Sequence, residues 1–272
     1  MTKLPRMLLL AAGTLALIAA PGFSQMLDNQ EKTMTCDEHN HSNRLSSHCE
    51  IKEQTMAAGM GAIQINPGPN GGVSVKGWSR GDMLVRAKIE TAAPSDAEAR
   101  GMVGQIRFAS GSGHLVAEGP NGDENHNWSV SYEIFVPHQT DFNATSSNGG
   151  IHVQDVKGTI TFNTTNGGVH LARLGGHVTG RTENGGVHVE LAGDRWDGTG
   201  LDVETTNGGV HMNIPSAYSA HVETSTVNGG VQVEFPITVQ GHITKDLSFN
   251  IGSGGATIRA TTTNGGVKIQ KT

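Results

Sequence analysis

Thr164-Thr165-Asn166-Gly167-Gly168-Val169-His170-Leu171 decides the fold, because its pattern returns along the chain. Asn-Gly-Gly occurs with Asn at 70, 148, 166, 184, 207, 228 and 264, and from 148 onward the steps are 18, 18, 23, 21 and 36 residues. Self-similarity at such a period marks a repeat architecture, so the alignment of the copies carries the reading. Three residues after the Asn stand Ile151, Val169, Val187, Val210, Val231 and Val267; two further on stand Val153, Leu171, Val189, Met212, Val233 and Ile269. Six before it stand Phe142, Ile160, Val178, Leu201, Val222 and Ile258, and two before it Ser146, Thr164, Thr182, Thr205, Thr226 and Thr262. Period-two alternation on both sides of the turn, rich in β-branched residues, predicts two short strands per unit.

Asn and Gly tolerate positive φ, which suits a tight reversal between those strands. A second corner, such as Lys157-Gly158 or Gly175-Gly176, follows half a unit later. Two strands and two corners make one flattened coil, which cannot bury its apolar face alone. Stacking coils with strands ~4.8 Å apart closes a continuous interior. The expected fold is all-β: a β-solenoid or β-roll of ~18-residue two-strand coils, although repeats joined as antiparallel hairpins would share the pattern. In the 36-residue step, Gly254 to Ile258 matches Gly158 to Ile160, so the step holds one coil and a loop around Gln240 to Phe249. A smaller excess forms a protrusion at Asp194-Arg195-Trp196-Asp197.

Ahead of the repeats, residues 61–142 carry strand-like runs at Ala62 to Ile65, Val73 to Val75, Met83 to Val85, Gln105 to Phe108 and Val130 to Val136. Ser95 to Gly101 reads as a helix opened by a Ser cap and closed by Gly. This region is expected to start the solenoid or to cap its first coil, with the repeat stack proper at 143–272. Residues 25–60 form a polar segment.

At the N-terminus, Lys3 and Arg6 precede an uncharged run from Met7 to Ala20 and then Pro21-Gly22-Phe23-Ser24. This is the pattern of a secretory signal peptide over residues 1–24, with cleavage expected before Gln25. No Cys follows the run and no later stretch reaches the ~20 apolar residues of a membrane helix. The expected product is exported, periplasmic or extracellular, with no membrane insertion after signal removal. The chain has 19 basic and 25 acidic residues, net −6, which gives no basic patch for a nucleic acid or an anionic membrane. Gly supplies 38 of 272 residues, roughly twice the usual ~7%, as a turn-rich chain with a small-residue core requires.

Cys36 and Cys49 are the only cysteines, and an oxidising compartment favours a disulfide between them. A metal site with His39, His41 and His48 is the rival, but its spacing fits no standard zinc pattern.

Asn70 to Trp78, the Ala-rich segment after it, Tyr132 to Pro137 and the Thr-x-Asn-Gly-Gly-Val repeats to Val267 together resemble a bacterial family of exported β-strand repeat proteins. That family is catalogued under adhesins, with undetermined function. The resemblance covers nearly the whole exported chain, implies adhesion by name, and carries over no catalytic residues.

The column four residues after the Asn holds His152, His170, His188 and His211, then Gln232 and Lys268. Flanked by inward positions, it must point outward, so the imidazoles would line one face a strand spacing apart. It is either a polar ladder copied by duplication or a site for a metal or acidic ligand, and no carboxylate column accompanies it. Stacked Asn side chains should satisfy one another in the corners. Calcium binding of the nonapeptide type would need Gly-Gly-x-Gly-x-Asp, which is not present. Trp196 within Asp194, Arg195 and Asp197 would stack on a sugar ring or anchor its own loop; Trp78 and Trp128 read as core or cap. No nucleophile, paired-carboxylate or phosphate-loop signature stands at working spacing. The expectation is a non-catalytic, cofactor-free, adhesin-like module for an envelope protein or glycan. A structural envelope scaffold is the alternative, and metal binding by the histidine ladder a third reading.

Overall fold

A computed structural model describes residues 34–36, 44–59, 61–111, 113–236 and 245–272, which belong to one unit from Met34 to Thr272. The signal peptide over 1–24 lies outside the described residues. The first elements are β1 (Ser46–Ala57), β2 (Ile63–Asn66), β3 (Val73–Trp78), β4 (Asp82–Ala93), α1 (Asp96–Val103), β5 (Arg107–Gly111), β6 (His114–Glu118) and β7 (Asn127–Pro137). The repeats follow as long strands β8 (Phe142–Asn148), β10 (Lys157–Asn166), β12 (Gly175–Asn184), β14 (Gly198–Asn207), β16 (Ala220–Asn228) and β19 (Thr257–Asn264). Across each Asn-Gly-Gly corner comes a short strand: β9 (Ile151–Gln154), β11 (Val169–Ala172), β13 (Val187–Glu190), β15 (Val210–Ile214), β17 (Val231–Val233) and β20 (Val267–Lys271). One further strand is β18 (Asp246–Ile251).

The coils stack in parallel, as a solenoid rather than as hairpins. The short strands of the repeats lie in one 10-stranded sheet, β1-β4-β7-β3-β9-β11-β13-β15-β20-β17, called the short-strand sheet, and the long strands of the repeats in the other, β18-β16-β19-β14-β12-β10-β8-β2-β6-β5. Their inner faces meet in the core. Phe142, Ile160, Val178, Leu201, Val222 and Ile258 from one sheet and Ile151, Val169, Val187, Val210 and Val267 from the other are all buried. Each such side chain contributes roughly 1.5–3 kcal/mol relative to exposure.

The corners are held by three repeated contacts. Asn166 Nδ2 donates to Asn148 Oδ1, Asn184 to Asn166 and Asn207 to Asn184, each at 2.9 Å. The buried Thr two residues earlier donates its hydroxyl to a Gly carbonyl of the adjacent coil: Thr164 to Gly149 at 2.9 Å, Thr182 to Gly167 at 2.8 Å, Thr205 to Gly185 at 2.7 Å. A hydroxyl in the core needs such a partner. The first Gly is demanded by crowding: a Cβ on Gly167 would lie 2.2 Å from Gly149 O, and one on Gly185 2.1 Å from Gly167 O. The expectation that the repeat Asn and Gly provide positive φ holds only in part: within the Asn-Gly-Gly turns positive φ is found at Gly71 (143°) and Gly265 (159°), whereas Asp155, Arg173 and Gly176 adopt it at the second corner. There Arg173 grips the Asp155 carboxylate through two bonds of 2.7 and 2.8 Å.

Coil order departs from chain order at both ends. β19 lies between β14 and β16, and β20 between β15 and β17, so the last coil is inserted beneath the one before it. At the other end β2 and β3 stack directly on β8 and β9, with β6 and β7 beyond them. The 36-residue step is thus the crossing that carries the chain past the β16–β17 coil. The portion of the expected loop at Asp246 to Phe249 is strand, pairing antiparallel with β16 along the sheet edge, while Gln240 to Thr244 lie outside the described residues. Antiparallel strands also finish the far end, where β1 pairs with β4 and β4 with β7. The helix runs past Gly101 to a Gly104 cap, with Ser95 accepting from Glu98 N as its opening cap.

Candidate functional site

Outside the short-strand sheet, register alone assembles one row of side chains. Residues Glu53, Arg86, Glu133, Ser74, His152, His170, His188, His211, Lys268 and Gln232 are successive partners across ten strands. At its first end Glu133 is nearly buried between Lys76 Nζ at 3.4 Å and an Arg86 nitrogen at 3.1 Å, with Glu53 also on Arg86 at 2.7 Å. Its middle is the histidine column, brought together as the stacked register requires.

The four rings meet edge to face, with centroids 5.8 Å apart for His152 and His170 and 5.0 Å for His170–His188 and His188–His211. With Gly150, Gly168, Gly186 and Gly209 beside them they line an open groove of ≈ 470 Å³. A Cβ on Gly150 or Gly209 would come within 3.1 Å of a carbonyl of the next coil, whereas at Gly168 and Gly186 it would make ordinary contact at 3.6 and 3.4 Å. Loss of water in the groove, and then the positive charge of His170 and Lys76, push the His152 pKa below the ordinary imidazole value.

One carboxylate reaches the histidine stretch of this row from the neighbouring position, which the absence of a carboxylate column did not foretell. Glu190 stands two residues after His188 on β13 and therefore on the same face. Its Oε1 lies 3.3 Å from His188 Nε2 and 3.6 Å from His170 Nε2. Its register partner on β11 is Ala172, a small side chain that is itself buried. The same position elsewhere holds Gln154, Asn213, Gln270 and Glu234, the last of which bonds Gln270 and Lys271 and not a histidine. The His188–Glu190 spacing was the readable signal; that Glu190 also reaches His170 depends on the coil next door. His170 Nε2 is buried without a hydrogen-bond partner. His211 Nε2 instead contacts Gln270 Oε1.

The remaining candidates lie elsewhere. Trp196 is buried, 6% exposed, and donates from Nε1 to Gly176 O at 2.9 Å, so its ring anchors the Asp194–Asp197 turn instead of facing a sugar. Asp197 meets Lys157 at 2.6 Å, while Asp194 and Arg195 pair with each other at 3.3 Å. Trp128 is a core residue whose Nε1 donates to Pro120 O at 2.8 Å. Trp78 is half-buried on the outer face, with Arg80 4.4 Å over its ring and Phe135 5.4 Å away. Cys36 and Cys49 are disulfide-bonded, Cα atoms 5.7 Å apart.

A model of the Toastrack DUF4097 family matches residues 105–270. No curated protein matches the chain. Among solved structures, it is similar to a proposed cell adhesion protein from Clostridium sporogenes, at 12% identity over 82% of this chain and 100% of that one, with a TM-score of 0.42. A proposed adhesin from Bacteroides fragilis gives 12% identity, 85% and 98% coverage and a TM-score of 0.33. A proposed lipid binding protein from Parabacteroides distasonis gives 10% identity, 82% and 97% coverage and a TM-score of 0.24.

Proposed function

The chain belongs to the Toastrack DUF4097 family, and from that premise we propose that it is an exported, non-catalytic binding module whose ligand face is the outer side of the short-strand sheet. The observation that carries this reading is the open histidine groove, in which a ring nitrogen of His170 makes no hydrogen bond. Polar recognition fits the rest of the surface, since among the described residues Val227 is the one exposed large hydrophobic side chain. Export is the reading of the N-terminal apolar run. The same shortage of exposed apolar surface favours a second reading, a structural envelope scaffold that presents passive polar ladders.

Capture of envelope proteins and glycans by the exported chain separates the two. A partner retained by the wild type and lost when His152, His170, His188 and His211 are all changed to Ser supports the binding module. Equal retention by that variant, or no partner at all, would leave the scaffold reading.

A further inference from the structure

Among the described residues, one group of three His, Cys, Asp or Glu donors closes to within 4.8 Å: His170, His188 and Glu190. In a tetrahedral zinc site, bonds of about 2.0–2.2 Å to nitrogen and oxygen hold neighbouring donor atoms about 3.3–3.5 Å apart. Glu190 Oε1 stands 3.3 Å from His188 Nε2, within that range, and 3.6 Å from His170 Nε2, about 0.1 Å beyond it. His170 Nε2 is itself shielded from solvent and makes no hydrogen bond, Glu190 at 3.6 Å being just too far for one, and a shielded ring nitrogen left in that state is costly.

We propose that His170, His188 and Glu190 bind a zinc-class divalent cation, leaving at least one coordination position open toward the groove. Two imidazoles and one carboxylate suit zinc or copper better than calcium or magnesium, which prefer all-oxygen sets. The ligands come from two coils, β11 and β13, so the ion would also pin those coils together. His152 and His211 flank the site without completing it: the first ring is 5.8 Å from His170, and the second is engaged by Gln270. This proposal rests on the reading of the histidine face as the ligand face, and names the chemistry an acidic or carbonyl-bearing ligand would meet there.

Calorimetric titration of zinc chloride into the full exported chain at pH 7.5 tests it. One equivalent should bind, Glu190→Gln should weaken binding at least about tenfold, and His170→Ala with His188→Ala should abolish it. His221→Ser, on the outer face of the other sheet, should leave binding unchanged. Failure of the wild type to take up a stoichiometric ion overturns the proposal, as does uptake that survives the double alanine variant, which would put the ion elsewhere. Partner capture reads the underlying face separately: capture without zinc uptake overturns the metal site alone, whereas zinc uptake lost in the variants, with no partner captured, upholds the site and sinks the ligand-face reading.

Discussion

Asn264 donates its side-chain amide to Asn207 at 2.8 Å and accepts from Asn228 at 2.8 Å, so residues 207, 264 and 228 are neighbours in that order. The buried threonines repeat the statement, with Thr262 on Gly208 O and Thr226 on Gly265 O, both at 2.7 Å. The last coil is therefore an interior layer, bonded on both sides.

Hydrogen exchange should report this directly. Although β20 is the last strand in the sequence, it is paired with β15 and β17, whereas β17 is the sheet edge. Amides of Val267 and Ile269 should exchange more slowly than those of Val231 and Val233, against the usual fraying of terminal segments. Faster exchange in β20 would mean that the coils follow chain order after all.

Inward and outward positions should separate sharply in melts. Val187 is 2% exposed, and Val187→Asp would bury an unpaired charge at a cost on the order of 4 kcal/mol. His188→Ser removes an outward ring and should change stability by less than about 1 kcal/mol. The opposite ranking would invert the assignment of faces.

Two glycines should respond in opposite directions to Ala. Gly167 has the Gly149 carbonyl where a Cβ would go, so Gly167→Ala must push adjacent coils apart and should cost several kcal/mol. Gly101 lies in α1 with open space around it, and Gly101→Ala should stabilise by roughly 0.5–1 kcal/mol. Comparable effects at both sites would show that close approach is not what selects the repeat glycine.

Acid should weaken the fold partly through His152. Its folded pKa lies below the ~6.5 of a free imidazole, so the unfolded chain takes up the proton more readily. The stability it contributes is complete above ~6.5 and is lost as pH falls through that value toward the depressed folded one. His152→Gln should therefore flatten the fall in melting temperature between pH 7 and pH 5. An unchanged slope would assign the acid sensitivity to other groups.

Intact-mass measurement of the exported protein, with and without reductant and alkylation, should find a chain starting at Gln25 with Cys36 and Cys49 joined. A loop of this size is nominally worth ~3 kcal/mol. Cys49 sits in β1, the outermost strand of its sheet, so its reduction should leave melting of the repeat stack nearly unchanged. Free thiols in the exported protein would defeat the prediction.

Much was legible in the sequence because it is written in period two. Alternation places Val169 and Leu171 inward and His170 outward whatever the neighbouring coil is, and a repeated Asn or Thr must align with its own copies once coils stack in register. The solenoid, the buried columns, the Asn ladder and the outward histidines follow from that local rule. Which coil lies on which does not, because the coils present interchangeable Asn, Thr, Gly and Val; a ladder is satisfied equally by the order 207, 228, 264 or 207, 264, 228. Only the path of the crossing chain and the pairing of β18 along the β16 edge distinguish them, and both are long-range contacts. The same holds for the site. His188 and Glu190 share a face by sequence alone, but their meeting with His170 depends on which coil lies next to β13, which is a property of packing between strands rather than of either strand.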